Sequence, residues 1–211
     1  GQHPAIIEPA TWDEVQRRLT TDAARSRGRA GATGTSPLSG KLFDDTGDRL
    51  TPSHANKRGR RYRYYVSQRL IRESGDPAQD GWRLPARSLE QAIARAVVTA
   101  LGERNRIVAL APDLAAGEVV HVESRIVALV ARLTGHEDAA VLADLLERVE
   151  IAPGNLTISL DAQAVAAYLS LDPDRLNTDA LAIVAPFRMR RRGVETKLIL
   201  GAETPEIDPV L

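Results

Sequence analysis

The residues best suited to binding chemistry form one basic stretch, residues 49–72, with the sequence RLTPSHANKRGRRYRYYVSQRLIR. The stretch holds eight Lys or Arg and no Asp or Glu, and it contains three of the four tyrosines of the chain. Guanidinium and ammonium groups bind phosphate oxygens, so this composition predicts a polyanionic partner. The alternative is a solvated, charged surface strand, which the absence of acids disfavours.

The pattern of residues 61–66 predicts a β-strand inside this stretch. Tyrosines alternate there with arginines, which suits a strand that carries cationic side chains on one face. Residues 54–60 are turn-like, and Gly59 permits a sharp reversal. Residues 50–53 would then pair back as the other arm of a hairpin. Such a β-ribbon fits phosphates and a groove of DNA.

A second basic hairpin is predicted near the end of the chain. Residues 181–191 and 194–200 flank Arg192-Gly193, and the tip reads FRMRRRGVETK. Together the two segments supply the candidate DNA-binding residues. These are His54, Lys57, Arg58, Arg60, Arg61, Arg63, Tyr64, Arg72, Arg188, Arg190, Arg191 and Arg192.

The sequence contains no recognisable catalytic constellation. His3, His54, His121 and His136 are scattered, and none shares a motif with a serine, as nucleophilic catalysis would require. Phosphate-cradling and dinucleotide-binding glycine motifs are missing as well. The absence of Cys excludes disulfides and thiolate metal ligands. We therefore expect no catalytic residue, no metal and no cofactor in this chain.

Three aspartates, Asp44, Asp45 and Asp48, raise the question of a calcium loop. The ligand spacing of such a loop and its distal bidentate glutamate are missing, so a plain turn is favoured. The turn would connect a strand over residues 38–43 to a return strand over residues 49–51.

Apolar periodicity predicts the helices that position these hairpins. An N-terminal helix would begin at a capping box of Thr11 and Glu14 and run to about residue 24. Its buried face would carry Trp12, Val15 and Leu19, and a Gly-, Ser- and Arg-rich linker follows. Three more helices, over residues 88–101, 112–133 and 137–148, would form a packed bundle or helical hairpin.

Turn and cap residues complete the predicted elements. Ser88 and Gln91 have the spacing of a capping box for the first of the three helices. Pro153-Gly154-Asn155 would join the two strands of a hairpin over residues 150–160. Asp161 would cap a short helix that runs to Leu169.

Composition and charge indicate a globular protein with an uneven charge distribution. The chain is 43% hydrophobic and 27% charged with a formal net charge of zero, and no apolar run reaches membrane-spanning length. Residues 1–79 carry 14 basic and 9 acidic groups, whereas residues 80–180 carry 9 and 15. We expect a basic face beside an acidic scaffold. A soluble, cytoplasmic and nucleoid-associated protein is predicted, and the start at Gly1 suggests a piece of a longer chain.

The order of the segments resembles the C-terminal half of large serine site-specific recombinases, which are related to resolvases and invertases. The motif around Tyr64-Tyr65, with the upstream residues 51–54, carries this resemblance most specifically. The matching segments are HPAIIEPATWDEVQRRL, SPLSGKLFDDTGDRLTPSHANKRGRRYRYYVS, RLPARSLEQAIARAVVTAL, ERVEIAPGNLTISL and APFRMRRRGVETKLIL.

The resemblance implies a particular domain order and an α+β fold class. Residues 1–25 would be the end of the recombinase domain, and residues 26–36 a linker. Residues 37–211 would form a zinc-ribbon-like DNA-binding domain with a helical insertion at about residues 87–148 and C-terminal β-hairpins over residues 149–200. The antiparallel hairpins would lack metal, because Phe-Asp-Asp-Thr-Gly and Ser67 stand where the family's cysteine pairs lie. Leu38, Leu42, Leu50 and the tyrosines must then hold the ribbon core.

By the same resemblance, the function is sequence-specific binding of double-stranded DNA beside a separate N-terminal catalytic domain. The parent would be an enzyme, but its nucleophilic serine and catalytic arginines would lie outside this chain. Two alternatives remain. The helices would be a dimerisation or synapsis module, or the Tyr/Arg ribbon would bind RNA by stacking.

Overall fold

The computed structural model describes residues 36–57, 59–72, 80–135, 139–192 and 195–200, and for residue 57 and residues 189–200 it describes the backbone alone. The expected N-terminal helix, most of the linker, His136 and the chain after residue 200 lie outside the described residues. So does Arg58, one of the candidate DNA-binding residues.

The described chain has an α+β architecture, as the sequence predicts. The strands are β1 (Leu42–Asp44), β2 (Leu50–Lys57), β3 (Arg60–Ser67), β4 (Arg83–Pro85), β5 (Leu146–Ala152), β6 (Gly154–Leu160), β7 (Ala182–Arg192) and β8 (Glu195–Leu200). The α-helices are α1 (Gln68–Arg72), α2 (Ala86–Leu101), α3 (Arg106–Leu110), α4 (Ala116–Thr134), α5 (Ala139–Leu145) and α6 (Ala162–Leu169). Two short 3-10 turns, Pro173–Arg175 and Thr178–Leu181, lead into β7.

The basic stretch forms the predicted hairpin, and it is longer than expected. β2 pairs antiparallel with β3 from Leu50↔Ser67 to Lys57↔Arg60, and β4 adds to the other edge of β3. The predicted turn over residues 54–60 is therefore too wide. Gly59 has a φ of 72°, and this left-handed conformation lets the chain reverse over two residues, so pairing continues almost to the tip.

A second sheet joins the beginning of the described chain to its end, in the strand order β1-β5-β6-β7-β8. The hairpins β5–β6 and β7–β8 are antiparallel and occur where the sequence predicts them. β1 pairs with β5 in parallel, with Leu42 opposite Val149. This long-range pairing is not predicted, because it leaves no local pattern in the sequence.

Several predicted boundaries are wrong. The helix α2 begins at Ala86 behind Pro85, without a side-chain cap, so Ser88 lies inside the helix and the proposed capping box is not formed. The predicted strand over residues 38–43 is a turn up to residue 41. The third helix ends at Leu145, because residues 146–152 pair with both β1 and β6 and form a strand.

The cap on the short helix α6 is confirmed. The Asp161 carboxylate accepts a hydrogen bond from the backbone nitrogen of Ala164 at 2.9 Å. This bond satisfies one of the backbone donors that a helix start leaves without an intrahelical partner.

One apolar core connects the two sheets. Leu38, Leu42, Leu50 and Tyr65 are completely buried, as the sequence predicts for the ribbon core. The helix α2 contacts strands of both sheets and packs against α4 as well. The base of the basic hairpin is therefore mounted on the same core as the C-terminal hairpins. Among the described helices, none is both long and apolar enough to cross a membrane.

Candidate nucleic-acid interface

The β2–β3 hairpin, residues 50–57 and 60–67 with the turn between them, is called the ribbon below. Successive side chains of β3 point to opposite faces of the ribbon. The outer face carries Arg60, Tyr62, Tyr64 and Val66, and the inner face carries Arg61, Arg63, Tyr65 and Ser67. Burial increases steadily along β3, from exposed residues 60–62 to buried residues 65–67.

The base of the ribbon is anchored to α2 by Glu90. The Arg63 guanidinium donates from both Nη atoms to the Glu90 carboxylate, at 3.1 and 3.0 Å. The Tyr65 hydroxyl donates to Glu90 Oε1 at 2.9 Å and accepts a hydrogen bond from the backbone nitrogen of Leu38 at 3.3 Å. Burial, followed by the charge of Glu90 and its hydrogen bond, raises the pKa of the Tyr65 hydroxyl. These contacts fix the angle at which the ribbon leaves the core.

Arg63 is consequently a poor candidate for contact with a partner, although the sequence placed it in the leading set. Its guanidinium also donates to Ser36 Oγ at 3.2 Å, so both Nη atoms face groups of the same chain. Nothing in the local sequence distinguishes Arg63 from Arg61, because the partner of Arg63 comes from a helix 27 residues further along. We leave Arg63 out of the proposed binding set.

The tip of the ribbon is residues 60–62 of β3 with the turn before them, and these three residues are exposed, unlike the base. Arg60 and Arg61 are exposed, and within the described part of the chain neither pairs with a carboxylate. Tyr62 follows them on the strand, with 42% of its surface exposed. His54 is also exposed, opposite Arg63 in the register. The tip therefore presents cationic and aromatic side chains directly to solvent.

Arg83 adds a cation that sequence reasoning missed. It lies on β4 opposite Val66, and its guanidinium stacks 4.7 Å from the centre of the Tyr64 ring. The stack holds Tyr64 and the exposed Arg83 together on the outer face. The sequence carried a signal for the strand but not for its pairing, because Trp82, Arg83 and Leu84 alternate between apolar and cationic side chains, the pattern of a short edge strand.

A polar cluster, made of Asp44, Thr46, Asp48, Ser67 and Arg69, ties the turn after β1 to the end of β3. Asp44 is completely buried, and its Oδ1 accepts hydrogen bonds from the backbone nitrogens of Thr46 at 3.1 Å and Asp48 at 3.0 Å. Its Oδ2 accepts from Ser67 Oγ at 3.2 Å and from Arg69 Nη1 at 2.5 Å. Arg69 also pairs with Asp48 at 3.2 Å.

Arg69 pairs with both carboxylates of the cluster, Asp44 and Asp48. Burial alone would raise the pKa of Asp44, but hydrogen bonds from Thr46 and Arg69, together with the Arg69 charge, outweigh it, and the pKa lies below its usual value. The Arg69 guanidinium thus holds the carboxylate oxygens that a bound cation would need. This donor set does not fit zinc or calcium, and the described residues contain no group of acidic or His side chains that could hold a metal ion.

The cluster stands where the recombinase resemblance places cysteine pairs. The predicted turn over residues 44–48 is confirmed, and it is closed by a hydrogen bond from the Asp44 nitrogen to the Asp48 carbonyl at 2.9 Å. The resemblance implied that Leu38, Leu42, Leu50 and the tyrosines would hold the core of a ribbon without metal. The charged cross-link from Asp44 to Ser67 and Arg69 is an additional element that the prediction missed.

The remaining candidate residues lie apart from the tip or are described only in part. Arg72 is exposed at the end of α1, and Arg188 is exposed on β7 in the other sheet. The backbone of residues 190–192 continues β7, and that of Lys57 ends β2. Comparison of the chain with models of protein families, with curated proteins and with solved structures found no match.

Proposed function

We propose that the ribbon binds double-stranded DNA through its tip and outer face. The observation that carries the proposal is the contrast in pairing along β3. The arginine at the base is neutralised by Glu90, whereas Arg60, Arg61 and Arg83 are exposed and pair with no carboxylate of the described chain. A surface that keeps its cations unpaired is suited to phosphate oxygens.

The shape of the ribbon supports a duplex as the partner. A two-stranded antiparallel ribbon fits the major groove of B-DNA, which is about 12 Å wide. From Tyr64 to Arg60 the strand makes four residue-to-residue steps, or about 13 Å at the rise of a β-strand. In this arrangement Arg60 and Arg61 would reach into or along the groove, while Arg83, stacked on Tyr64, would contact the phosphate backbone.

The larger protein that we propose is a serine site-specific recombinase, of which this chain is the DNA-binding C-terminal region. Support comes from the segment order and the motif around Tyr64-Tyr65, and the hydrogen bonds of Asp44 with Ser67 and Arg69 are compatible with a cysteine-less ribbon. No catalytic residue is assigned to the chain itself. The proposal predicts that the codons upstream of Gly1 encode a resolvase-like nuclease domain.

The test is fluorescence anisotropy with a labelled duplex and unlabelled competitors. We expect the chain to bind duplex DNA, and log K to fall linearly with log salt by about 0.9 for each phosphate neutralised. Single-stranded RNA should compete poorly. Binding that is independent of salt, or stronger competition by RNA than by duplex DNA, would contradict the proposal, and the second result would favour the RNA-binding alternative.

A second candidate function, self-association through the helices, is supported by α4. Val120 and Val127 are each 68% exposed, and a spacing of seven residues places them on the same side of the helix. Sedimentation velocity over a range of concentrations tests this candidate. We expect Val120→Glu to weaken any dimer, and a monomer at all concentrations would rule out this function for the chain alone.

A further inference from the structure

The register of the ribbon places an asparagine among its exposed cations. Asn56 lies on β2 directly opposite Arg61, one pair before the final pair of Lys57 and Arg60. Opposite residues of an antiparallel pair project from the same face, with their Cβ atoms about 4.5–5.5 Å apart. Asn56 therefore lies on the inner face of the ribbon, beside the exposed side chain of Arg61.

Asn56 takes no part in the side-chain contacts that hold the ribbon. Asparagine is depleted in β-strands and favours turns, where its side chain bonds to the backbone. Here it lies inside β2 without a positive φ, and pairing continues past it to Lys57. Its side chain is exposed and has no hydrogen-bond partner among the described residues. The amide is thus available to a partner outside the chain.

The chemistry of this amide differs from that of the cations around it. Arg60 and Arg61 attract phosphate oxygens whatever the DNA sequence, because every nucleotide carries the same backbone charge. An uncharged amide adds little to that attraction. In the major groove, however, an asparagine amide can donate to N7 of adenine and accept from its N6 amino group, a pattern that no other base presents.

We propose that Asn56 reads an adenine in the major groove and gives the ribbon part of its sequence preference. This inference rests on the proposed binding of duplex DNA and names the base that the same site recognises. The asparagine side chain is short, so β2 must approach the base edges closely. The sheet order β2-β3-β4 places β2 at an edge, where it can enter the groove first.

The dimensions of the sheet fit this arrangement. Neighbouring strands lie about 4.8 Å apart, so β4 lies about 9.6 Å from β2. The major groove is about 8.5 Å deep. When β2 reaches the base edges, Arg83 on β4 would therefore lie near the level of the phosphates. One orientation of the ribbon thus allows both base reading by Asn56 and backbone contact by Arg83.

Selection of duplexes from a random library by the full chain tests the inference. The parent should enrich a motif in which at least one adenine is preferred about 5- to 150-fold over the other bases. Asn56→Ala should lose this preference and keep the rest of the motif. Arg61→Ala should weaken binding but keep the preference for adenine, since the amide that reads the base is still present.

Replacement of this adenine by 7-deazaadenine, which lacks the N7 acceptor, tests the contact at a single atom. The parent should bind the modified duplex several-fold more weakly than the unmodified one, whereas Asn56→Ala should bind both equally. Asn155→Ala removes an exposed asparagine from the other sheet and should behave like the parent. Circular dichroism should be unchanged in both variants, because both side chains are exposed.

The outcomes separate this inference from the function on which it rests. A parent chain that binds no duplex would overturn both. Salt-dependent duplex binding without any base preference would overturn the role of Asn56 and leave DNA binding standing. The same conclusion would follow if Asn56→Ala kept the preference for adenine, or if 7-deazaadenine weakened the variant as much as the parent.

Discussion

Arg61 and Arg63 lie on the same face of the same strand, two residues apart, and their environments differ completely. Arg63 binds the carboxylate of Glu90 and belongs to the base of the ribbon, whereas Arg61 is exposed at the tip. The difference comes from α2, which supplies the acid that pairs with Arg63, whereas Arg61 pairs with no carboxylate among the described residues. A run of arginines is thus divided by tertiary structure into residues that stabilise the fold and residues that remain free to bind.

The tip also depends on the base, because the base holds it in place. A binding surface pays less conformational entropy when its backbone is already ordered. Glu90 and the polar cluster around Asp44 order the base, so the tip is held in a defined direction. Variants at the base should therefore lower the free energy of unfolding. Variants at the tip should weaken DNA binding and leave the free energy of unfolding unchanged.

The largest effect is expected for Tyr65→Ala at the base. Tyr65 is completely buried, and loss of a buried aromatic side chain costs about 3–5 kcal/mol in the free energy of unfolding. The matched tip variant, Tyr62→Ala, should change it by less than about 0.5 kcal/mol. Urea denaturation monitored by circular dichroism measures both, and equal costs would contradict the division into base and tip.

The next largest effect is expected for Asp44→Ala. This change leaves Arg69 with Asp48 as its only remaining ion pair of the cluster, and it removes the acceptor of Ser67. We expect a loss of about 2–3 kcal/mol, less than for a fully buried pair because Arg69 is partly exposed. Asp45→Ala, an exposed neighbour, is the control and should be neutral in the same denaturation experiment.

The lowered pKa of Asp44 predicts how stability depends on pH. An aspartate has a pKa of about 3.9 in the unfolded chain. Because the folded pKa is lower, the stabilisation is complete above that value and is lost as the pH falls through the folded pKa. Denaturation midpoints between neutral and acidic pH should decline less steeply for Asp44→Asn than for the parent. Parallel curves would show that this carboxylate is not stabilised as described.

The variants Arg63→Ala and Arg61→Ala compare the base and the tip most directly. Arg63→Ala removes two charge-assisted bonds to Glu90 and should cost about 1.5–3 kcal/mol in stability. Arg61→Ala should leave stability nearly unchanged but reduce DNA affinity, by about 1–3 kcal/mol if the side chain reads a base. If Arg61 contacts only phosphate, affinity should fall equally for all sequences. A variant of Arg61 that unfolds more easily yet binds normally would reverse the assignment.

Local patterns predicted the elements well. The alternation of Tyr and Arg located the ribbon, Gly59 and Gly154 located two reversals, and Asp161 located a helix start. Each of these signals acts over a few residues. The α+β class and the burial of Leu38, Leu42 and Leu50 agree with what the recombinase resemblance implied.

The features that the sequence did not reveal all depend on residues far apart in the chain. The parallel β1–β5 pair joins positions about a hundred residues apart, as Leu42 and Val149 show. Glu90 selects Arg63 across 27 residues, and Arg69 reaches Asp44 across 25. The extra cation of the interface, Arg83, joins the outer face only because β4 pairs with β3. These contacts form only when distant segments pack together, so no short window of sequence predicts them.

The central claim, that the exposed cations of the ribbon and of β4 neutralise DNA phosphates, is tested most directly by a salt titration of duplex binding. The parent chain is compared with a variant that carries Arg60→Ala, Arg61→Ala and Arg83→Ala, after equal thermal stability has been confirmed. If each arginine contacts one phosphate, the slope of log K against log salt should become shallower by about 2.7 in the triple variant. An unchanged slope would show that the DNA contacts lie elsewhere and would contradict the proposed interface.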